Sequence, residues 1–163
     1  MSATSAVAAT VRAAVAAVAD PEIPVLTIDD LGILRDVTVA DDGRVEVTIT
    51  PTYSGCPAVE AIRTEVERVL VEHGFADAAV HTVLAPAWTT DWITDEGRRK
   101  LADFGIAPPG RCGASGVASV ELVRCPQCGS ADTRLLSRFG STACKSLRAC
   151  NRCREPFDHF KPL

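Results

Sequence analysis

The 163-residue sequence lacks the motifs that commonly mark an independent catalyst. It has no glycine-rich phosphate loop, no G-x-S-x-G nucleophile elbow, no dinucleotide fingerprint and no two Glu-x-x-His pairs for a carboxylate di-iron site. These absences disfavour an oxygenase or a reductase that works alone. What remains for the chain is thiol chemistry and binding.

Long hydrophobic runs and a secretion signal are also missing. No stretch approaches about 18 uncharged apolar residues, so we expect no transmembrane helix and no membrane partner. The Ala- and Val-rich amino terminus has no basic residue before its apolar run, and Arg12 interrupts that run. We therefore expect a cytoplasmic protein. In a reducing cytoplasm, cysteines serve more often as metal ligands or reactive thiols than as structural disulfides.

Cysteine is scarce in most of the chain and concentrated near its end. Of the seven cysteines, only Cys56 lies within residues 1–110, and the other six lie between Cys112 and Cys153. Charge divides at the same place, with a net charge of −9 for residues 1–110 and of +5 for residues 111–163. We predict two domains with these boundaries, the second of them opening with a linker rich in Pro, Gly, Ala and Ser.

Hydrophobic periodicity predicts a small α+β fold for the first domain. Apolar residues recur with helical spacing in segments 5–19 and 59–70, and they favour strands in segments 33–49 and 79–84. Thr94 can cap a short third helix through Phe104, which Gly105 ends. An Asp-Asp-Gly turn makes the first strand segment a hairpin. The predicted order is αββαβα, which fits a two-layer or three-layer sandwich around one short sheet.

Two Cys-x-x-Cys pairs dominate the second domain. They are Cys125 with Cys128 and Cys150 with Cys153, and 21 residues separate them. Each two-residue gap lets a tight turn aim both sulfurs at one point, and two such turns supply the four thiolates that zinc prefers. We predict a β-rich ribbon held by structural zinc, because about 50 residues bury too little apolar surface to fold alone. Rubredoxin-like iron and an iron-sulfur cluster are the alternative occupants.

Three cysteines remain outside the paired motifs. Cys56 precedes the second predicted helix, whose dipole favours a thiolate that could ligate metal or attack an electrophile. The alternative is that Cys56 is a buried cysteine at the start of the helix. Cys144 is surplus to a four-ligand site and is either a small buried residue or a labile metal ligand. Cys112, in the linker, either acts together with Cys144 as a labile metal ligand or has no role. Asp20 and Glu22 are candidate supporting residues, although such carboxylates ordinarily serve caps and turns.

Several segments together resemble a known protein family. Four segments resemble the small domain that iron-sulfur cluster assembly and targeting factors share. They are DPEIP, DLGIL, VTITPTYSGCPAVEAI and PAWTTDWITDEGRRKLADFGIAPP. One branch of that family, the D subunits of bacterial phenylacetyl-CoA epoxidase systems, also resembles RCPQCGS, SRFGSTACKSL and CNRCREPFDHFKP. The resemblance spans nearly the whole chain.

This resemblance implies a role in aerobic phenylacetate catabolism, a route of aromatic compound degradation. In that system a di-iron oxygenase component and a reductase with flavin and iron-sulfur centres epoxidise the ring of phenylacetyl-CoA. The chain is implied to be an accessory component of this multicomponent monooxygenase. The resemblance further implies that it has no catalytic residue of its own and that it matures an iron or iron-sulfur centre on the oxygenase or the reductase, with zinc as its structural cofactor.

The resemblance also assigns roles to the cysteines. Cys56 is the family's motif cysteine, and with Cys144 it is the candidate ligand of a transient iron or iron-sulfur cargo. The family's ribbon cysteines fall on the following positions: Cys125, Cys128, Cys144, Cys150 and Cys153.

Other roles stay open. An acidic first domain and a basic ribbon could bridge epoxidase components without any chemistry. A nucleic-acid-binding ribbon is disfavoured, because the acidic remainder of the chain repels phosphate. A thiol-disulfide oxidoreductase is disfavoured, because one metal site explains both Cys-x-x-Cys pairs. The oligomeric state is open, with a homodimer as one option.

Overall fold

This computed structural model describes residues 3–111 and 122–163, which contain helices and two β-sheets joined by loops. The chain divides into two units between Trp88 and Thr89. None of the helices in the described ranges is long and apolar enough to cross a membrane.

The first unit is built on a three-stranded sheet of β1 (Leu34–Val39), β2 (Val45–Ile49) and β3 (Ala79–Thr82). β2 is central; it pairs antiparallel with β1 and parallel with β3. The predicted hairpin turn contains Gly43, whose φ of 84° lies in the left-handed region that glycine adopts readily. A parallel pair needs a long crossover, and the helix between β2 and β3 supplies it.

Helices α1 (Ala3–Ala16) and α2 (Ala58–Glu72) bury the apolar stripes that their sequences predict. The buried residues of the two helices and of β2 form the core of this unit: Val11, Val15, Ala58, Ile62, Val66, Leu70, Val45, Val47 and Ile49. Each buried Val, Ile or Leu side chain contributes about 1.5–3 kcal/mol to the free energy of unfolding. This core fixes the start of α2, and with it the loop that carries Cys56.

The second unit joins one helix, α3 (Asp95–Asp103), to a four-stranded sheet. Its strands are β4 (Ile106–Ala107), β5 (Thr133–Ser137), β6 (Lys145–Cys150) and β7 (Pro156–Phe160). Their spatial order is β4-β7-β6-β5, with β4 parallel to β7 and the other pairs antiparallel. The α+β class and the β-rich ribbon that the sequence predicts are both confirmed.

The division between the units differs from the predicted boundary after residue 110. Residues 89–110 belong to the second unit because β4 pairs with β7. In addition, the carbonyl oxygen of Leu163 accepts hydrogen bonds from Thr89 Oγ1 at 2.9 Å and from the Thr90 amide at 3.1 Å. The third helix of the predicted αββαβα order therefore lies with the ribbon.

Candidate metal centre and the Cys56 loop

Two similar backbone turns present the paired cysteines. In each turn the residue after the second cysteine has a positive φ: 73° for Gly129 and 70° for Arg154. The Gly129 amide donates to the Cys125 carbonyl at 2.9 Å, and the Arg154 amide donates to the Cys150 carbonyl at 3.1 Å. The left-handed conformation costs an arginine about 1–2 kcal/mol, so the second turn is held against a local preference.

The four sulfurs of these turns converge on one point. Cys125 Sγ lies 3.7 Å from Cys153 Sγ, and Cys128 Sγ lies 3.6 Å from Cys150 Sγ. All four lie within 4.8 Å of one another. A tetrahedral site with metal–sulfur bonds of about 2.3 Å has sulfur–sulfur edges of about 3.8 Å, so the four thiols fit a tetrahedral metal ion. Within residues 3–111 and 122–163, no other group of three or more Cys, His, Asp or Glu residues has this metal-binding geometry.

The backbone of the second turn favours a thiolate at Cys150, one of its two cysteines. The Cys153 amide lies 3.5 Å from Cys150 Sγ, and with the Arg152 amide it lowers the pKa of the Cys150 thiol to about 7. Metal ions bind the thiolate form of cysteine, so these amides prepare a ligand. Cys125 and Cys150 are buried, and they form a small core with three apolar residues: Ala107, Val123 and Phe157.

Cys144 lies away from this cluster, at the other end of β6. It stands six positions before Cys150, and a strand rises about 3.3 Å per residue, which puts the two about 20 Å apart. The Cys144 thiol is buried, and its sulfur lies 3.0 Å from Thr142 Oγ1. The structure therefore does not bring Cys144 to the four-cysteine site. Cys112 lies outside the described residues.

Cys56 precedes α2, as the sequence predicts. Its side chain is 9% exposed, whereas residues 53–55 before it are exposed. Its amide donates to the Tyr53 carbonyl at 3.1 Å, and its carbonyl accepts from the Val59 amide at 3.3 Å. The thiol is therefore held by a tight turn into the helix, next to a short exposed loop.

Asp20 serves the backbone of its own loop. Its side chain is buried, and Oδ1 accepts hydrogen bonds from the amides of Glu22 at 2.9 Å and Ile23 at 2.7 Å. Glu22 itself is exposed. Asp30 acts similarly, because its Oδ2 accepts from the Thr27 amide at 3.0 Å. Carboxylates of the DPEIP and DLGIL segments thus fix turns, and Cys56, Asp20 and Glu22 form no compact ligand cluster among the residues described.

We expect Asp20→Ala to lower the free energy of unfolding by about 1–3 kcal/mol, because two amides lose their acceptor. Thermal unfolding of the full chain measures this loss, with Asp29→Ala as the matched control. Asp29 is exposed and its carboxylate lies 4.0 Å from the Arg12 guanidinium, so its removal should change the stability by less than about 0.5 kcal/mol. Equal stabilities of the two variants would contradict the turn-fixing role of Asp20.

The loop between β5 and β6 is fixed by Asp158. Its carboxylate accepts a hydrogen bond from Ser141 Oγ at 2.8 Å and lies 3.6 Å from the buried ammonium of Lys145. The Gly140 amide donates to the Lys145 carbonyl at 2.8 Å. A Cβ at Gly140 would lie 2.5 Å from Asp158 Oδ1, so a larger residue at this position must displace the Asp158 carboxylate. The segment FGSTACK is therefore tied to β7 by these contacts.

Gly140→Ala is expected to destabilise the second unit by about 1–3 kcal/mol, because the methyl group must displace the Asp158 carboxylate from Ser141 and Lys145. Chemical denaturation of the metal-loaded protein checks this value. Gly129→Ala serves as a comparison, because a Cβ there meets no atom within 4 Å and the cost is conformational alone. A Gly140→Ala protein as stable as wild type would show that the loop tolerates the added methyl group.

Comparison with known proteins identifies both halves of the sequence. Residues 8–82 match a family described as iron-sulfur cluster assembly protein, and residues 111–161 match the PaaD zinc beta ribbon domain. An Escherichia coli protein provisionally named as the D subunit of a 1,2-phenylacetyl-CoA epoxidase is 51% identical over 142 residues, which cover 87% of this chain and 85% of that protein. The chain belongs to the family of phenylacetyl-CoA epoxidase D subunits. The resemblance read from the sequence motifs is confirmed.

More distant relatives extend the comparison. An Fe-S protein maturation auxiliary factor from Porphyromonas gingivalis is 38% identical over 86 residues, which cover 50% of this chain and 78% of that protein. The crystal structure of a domain of unknown function, DUF59, from Bacillus anthracis aligns with a TM-score of 0.55 at 28% identity. It covers 60% of this chain and 93% of that domain. These relatives support the fold of an iron-sulfur assembly domain.

Proposed function

We propose that this chain is an accessory component of a phenylacetyl-CoA epoxidase system that matures an iron or iron-sulfur centre on the oxygenase or the reductase, in the cytoplasm. The observation that carries the proposal is the separation of two kinds of cysteine. Four cysteines form a site that is complete without Cys56, and Cys56 remains in the domain that matches iron-sulfur assembly proteins. The names of the relatives support an accessory role of this kind.

In this proposal the four-cysteine site holds zinc. The sulfur–sulfur distances fit a tetrahedral ion, and four thiolates are a common ligand set of structural zinc. Zinc has no redox chemistry, and a closed set of four ligands leaves no position for a substrate. Its role is then to join the two turns and hold the ribbon sheet.

Cys56 is proposed to hold the iron or cluster cargo. A single thiolate leaves the other coordination positions of the metal to other ligands, so a client's ligands can take the cargo by exchange. The thiol loses its proton on binding the cargo and regains one on release, and no redox step is needed. Asp20 supports this task by fixing its loop, and Glu22 is exposed beside it.

The test is to produce the epoxidase components with and without this chain and to measure iron and sulfide in the purified oxygenase and reductase. Without the chain, we expect the iron content of one component to fall at least about fivefold, with a matching loss of epoxidase activity. Full iron content and full activity without the chain would refute the proposal.

A structural bridging role is the second candidate, and the opposite net charges of residues 1–110 and 111–163 favour it. A bridge must remain in the complex, so it predicts co-purification with the other components at a fixed ratio. A maturation factor leaves after delivery, so it predicts only transient association. Size-exclusion chromatography of the purified, active epoxidase separates the two roles.

A further inference from the structure

One face of the ribbon sheet carries a cleft of about 320 Å³. The strand register puts Leu135 opposite Arg148 and Ser146 opposite His159. Directly opposed residues of antiparallel strands share a face, so these four side chains lie on the same side of the sheet. All four line the cleft, and Ser146 and His159 are buried.

The lining of this cleft is basic. Arg138, Arg148 and Lys161 all contribute to it, and none of the described residues that line it is acidic. Asp158, the acidic residue of β7, alternates to the other face of the sheet, where it pairs with Lys145. The three cations therefore have no carboxylate within the cleft itself, and they attract negative charge.

Apolar side chains are exposed beside these cations. Phe139 is 67% exposed and Leu135 is 48% exposed. Lys161 Nζ lies 4.8 Å from the centre of the Phe139 ring and donates to the Arg138 carbonyl at 3.2 Å. A side chain this exposed adds little to stability, yet it lies at the start of the FGSTACK loop that Asp158 holds. An exposed aromatic ring on a fixed loop is suited to a partner.

We propose that this cleft docks an acidic peptide segment that carries an aromatic or aliphatic side chain, on the protein that the chain serves. The cations would pair with the carboxylates, and Leu135 and Phe139 would contact the apolar side chain. The identity of the client rests on the proposed function, whereas the chemistry of the cleft does not.

The test is to titrate three probes into the zinc-loaded, isotope-labelled full chain and to monitor the amide chemical shifts by NMR. The probes are a short glutamate-rich peptide containing one Phe and one Leu, its lysine-for-glutamate counterpart, and a single-stranded oligo-thymidine. We expect the glutamate peptide alone to give saturable shifts in β5, β6 and β7. Arg138→Glu and Phe139→Ala should each raise its Kd at least about fivefold. Arg134→Glu, the same charge change on the opposite face of β5, should raise it less than about twofold.

Four results would overturn the proposal. They are the absence of saturable shifts with the glutamate peptide, an equal effect of Arg134→Glu and Arg138→Glu, tighter binding of the oligo-thymidine, and dimerisation of the wild-type chain that Arg138→Glu abolishes. Cys56→Ser should bind the glutamate peptide as wild type does. Normal peptide binding together with full iron loading by Cys56→Ser would refute the cargo role of Cys56 and leave the cleft assignment standing.

Discussion

Replacing Cys150 by serine is expected to unfold the ribbon and to abolish its metal binding. The apolar cluster around the metal site is small, consisting of Ala107, Val123 and Phe157 with the cysteines Cys125 and Cys150. Structural zinc supplies an apparent binding free energy of about 10–16 kcal/mol in small domains, and this energy is available only to the folded state. This binding free energy is as large as the total free energy of unfolding of most domains, which is about 5–15 kcal/mol, so a ribbon that loses its zinc is expected to unfold.

Metal analysis and amide NMR spectra of the purified variant check this expectation. Cys144→Ser is the matched control, because it makes the same chemical change about 20 Å away along the same strand. The control should keep one zinc per chain and the dispersed signals of β5 to β7, with a loss of about 1 kcal/mol from the altered buried contact with Thr142. A folded, zinc-containing Cys150→Ser protein would contradict a metal-dependent ribbon.

Cys56→Ser is expected to lower the iron content of the client component at least about fivefold, as omission of the chain does, while leaving the chain folded and its zinc in place. A serine hydroxyl is nearly the same size as a thiol, but it does not ionise at neutral pH and is a poor ligand for iron. Because Cys56 is outside the four-cysteine site, the substitution removes only the proposed cargo ligand. Iron and sulfide analysis of the client, co-produced with each variant, measures the effect.

Cys144→Ser serves as the control here too, and the client should then be fully loaded. If Cys56→Ser also supports full loading and full epoxidase activity, the thiol has no function in maturation, and the bridging role becomes the better account. If Cys144→Ser alone fails, the cargo ligand lies in the ribbon and the assignment to Cys56 is wrong.

Local chemistry in the sequence is sufficient to predict much of the fold. The apolar stripe of α2 and its start after Cys56 follow from helical spacing, and Thr94 stands where a cap of α3 is expected. The structure confirms that cap, because Thr94 Oγ1 accepts a hydrogen bond from the Gly97 amide at 2.9 Å. The two Cys-x-x-Cys turns are also predictable, because their spacing alone decides where the sulfurs point.

Pairing over long sequence distances is not predictable in this way. The strand β4 has two residues, too few for any periodicity, and only its register with Asp158 and His159 in β7 shows that residues 89–110 belong with the ribbon. The position of Cys144 is hidden in the sequence for a similar reason. Six residues are a short distance in sequence, but an extended strand carries them to the far end of the sheet.

The roles of some polar residues need coordinates as well. The sequence makes Asp20 a candidate supporting residue, and only its two hydrogen bonds to the amides of Glu22 and Ile23 show that it fixes a turn. The basic cleft is equally inaccessible from the sequence. Arg138, Arg148 and Lys161 are spread over β5, β6 and β7 and the segments that follow them, and the strand register brings them to one face.

The measurement that tests the central claim most directly is metal analysis of the chain after anaerobic reconstitution with ferrous iron and sulfide. The claim is that Cys56 carries iron separately from the metal of the ribbon. We predict one zinc per chain in both wild type and Cys56→Ser, with iron and its sulfur-to-iron absorption present in wild type and absent from Cys56→Ser. Equal iron in the two proteins, or one zinc and no iron in either, would contradict the account.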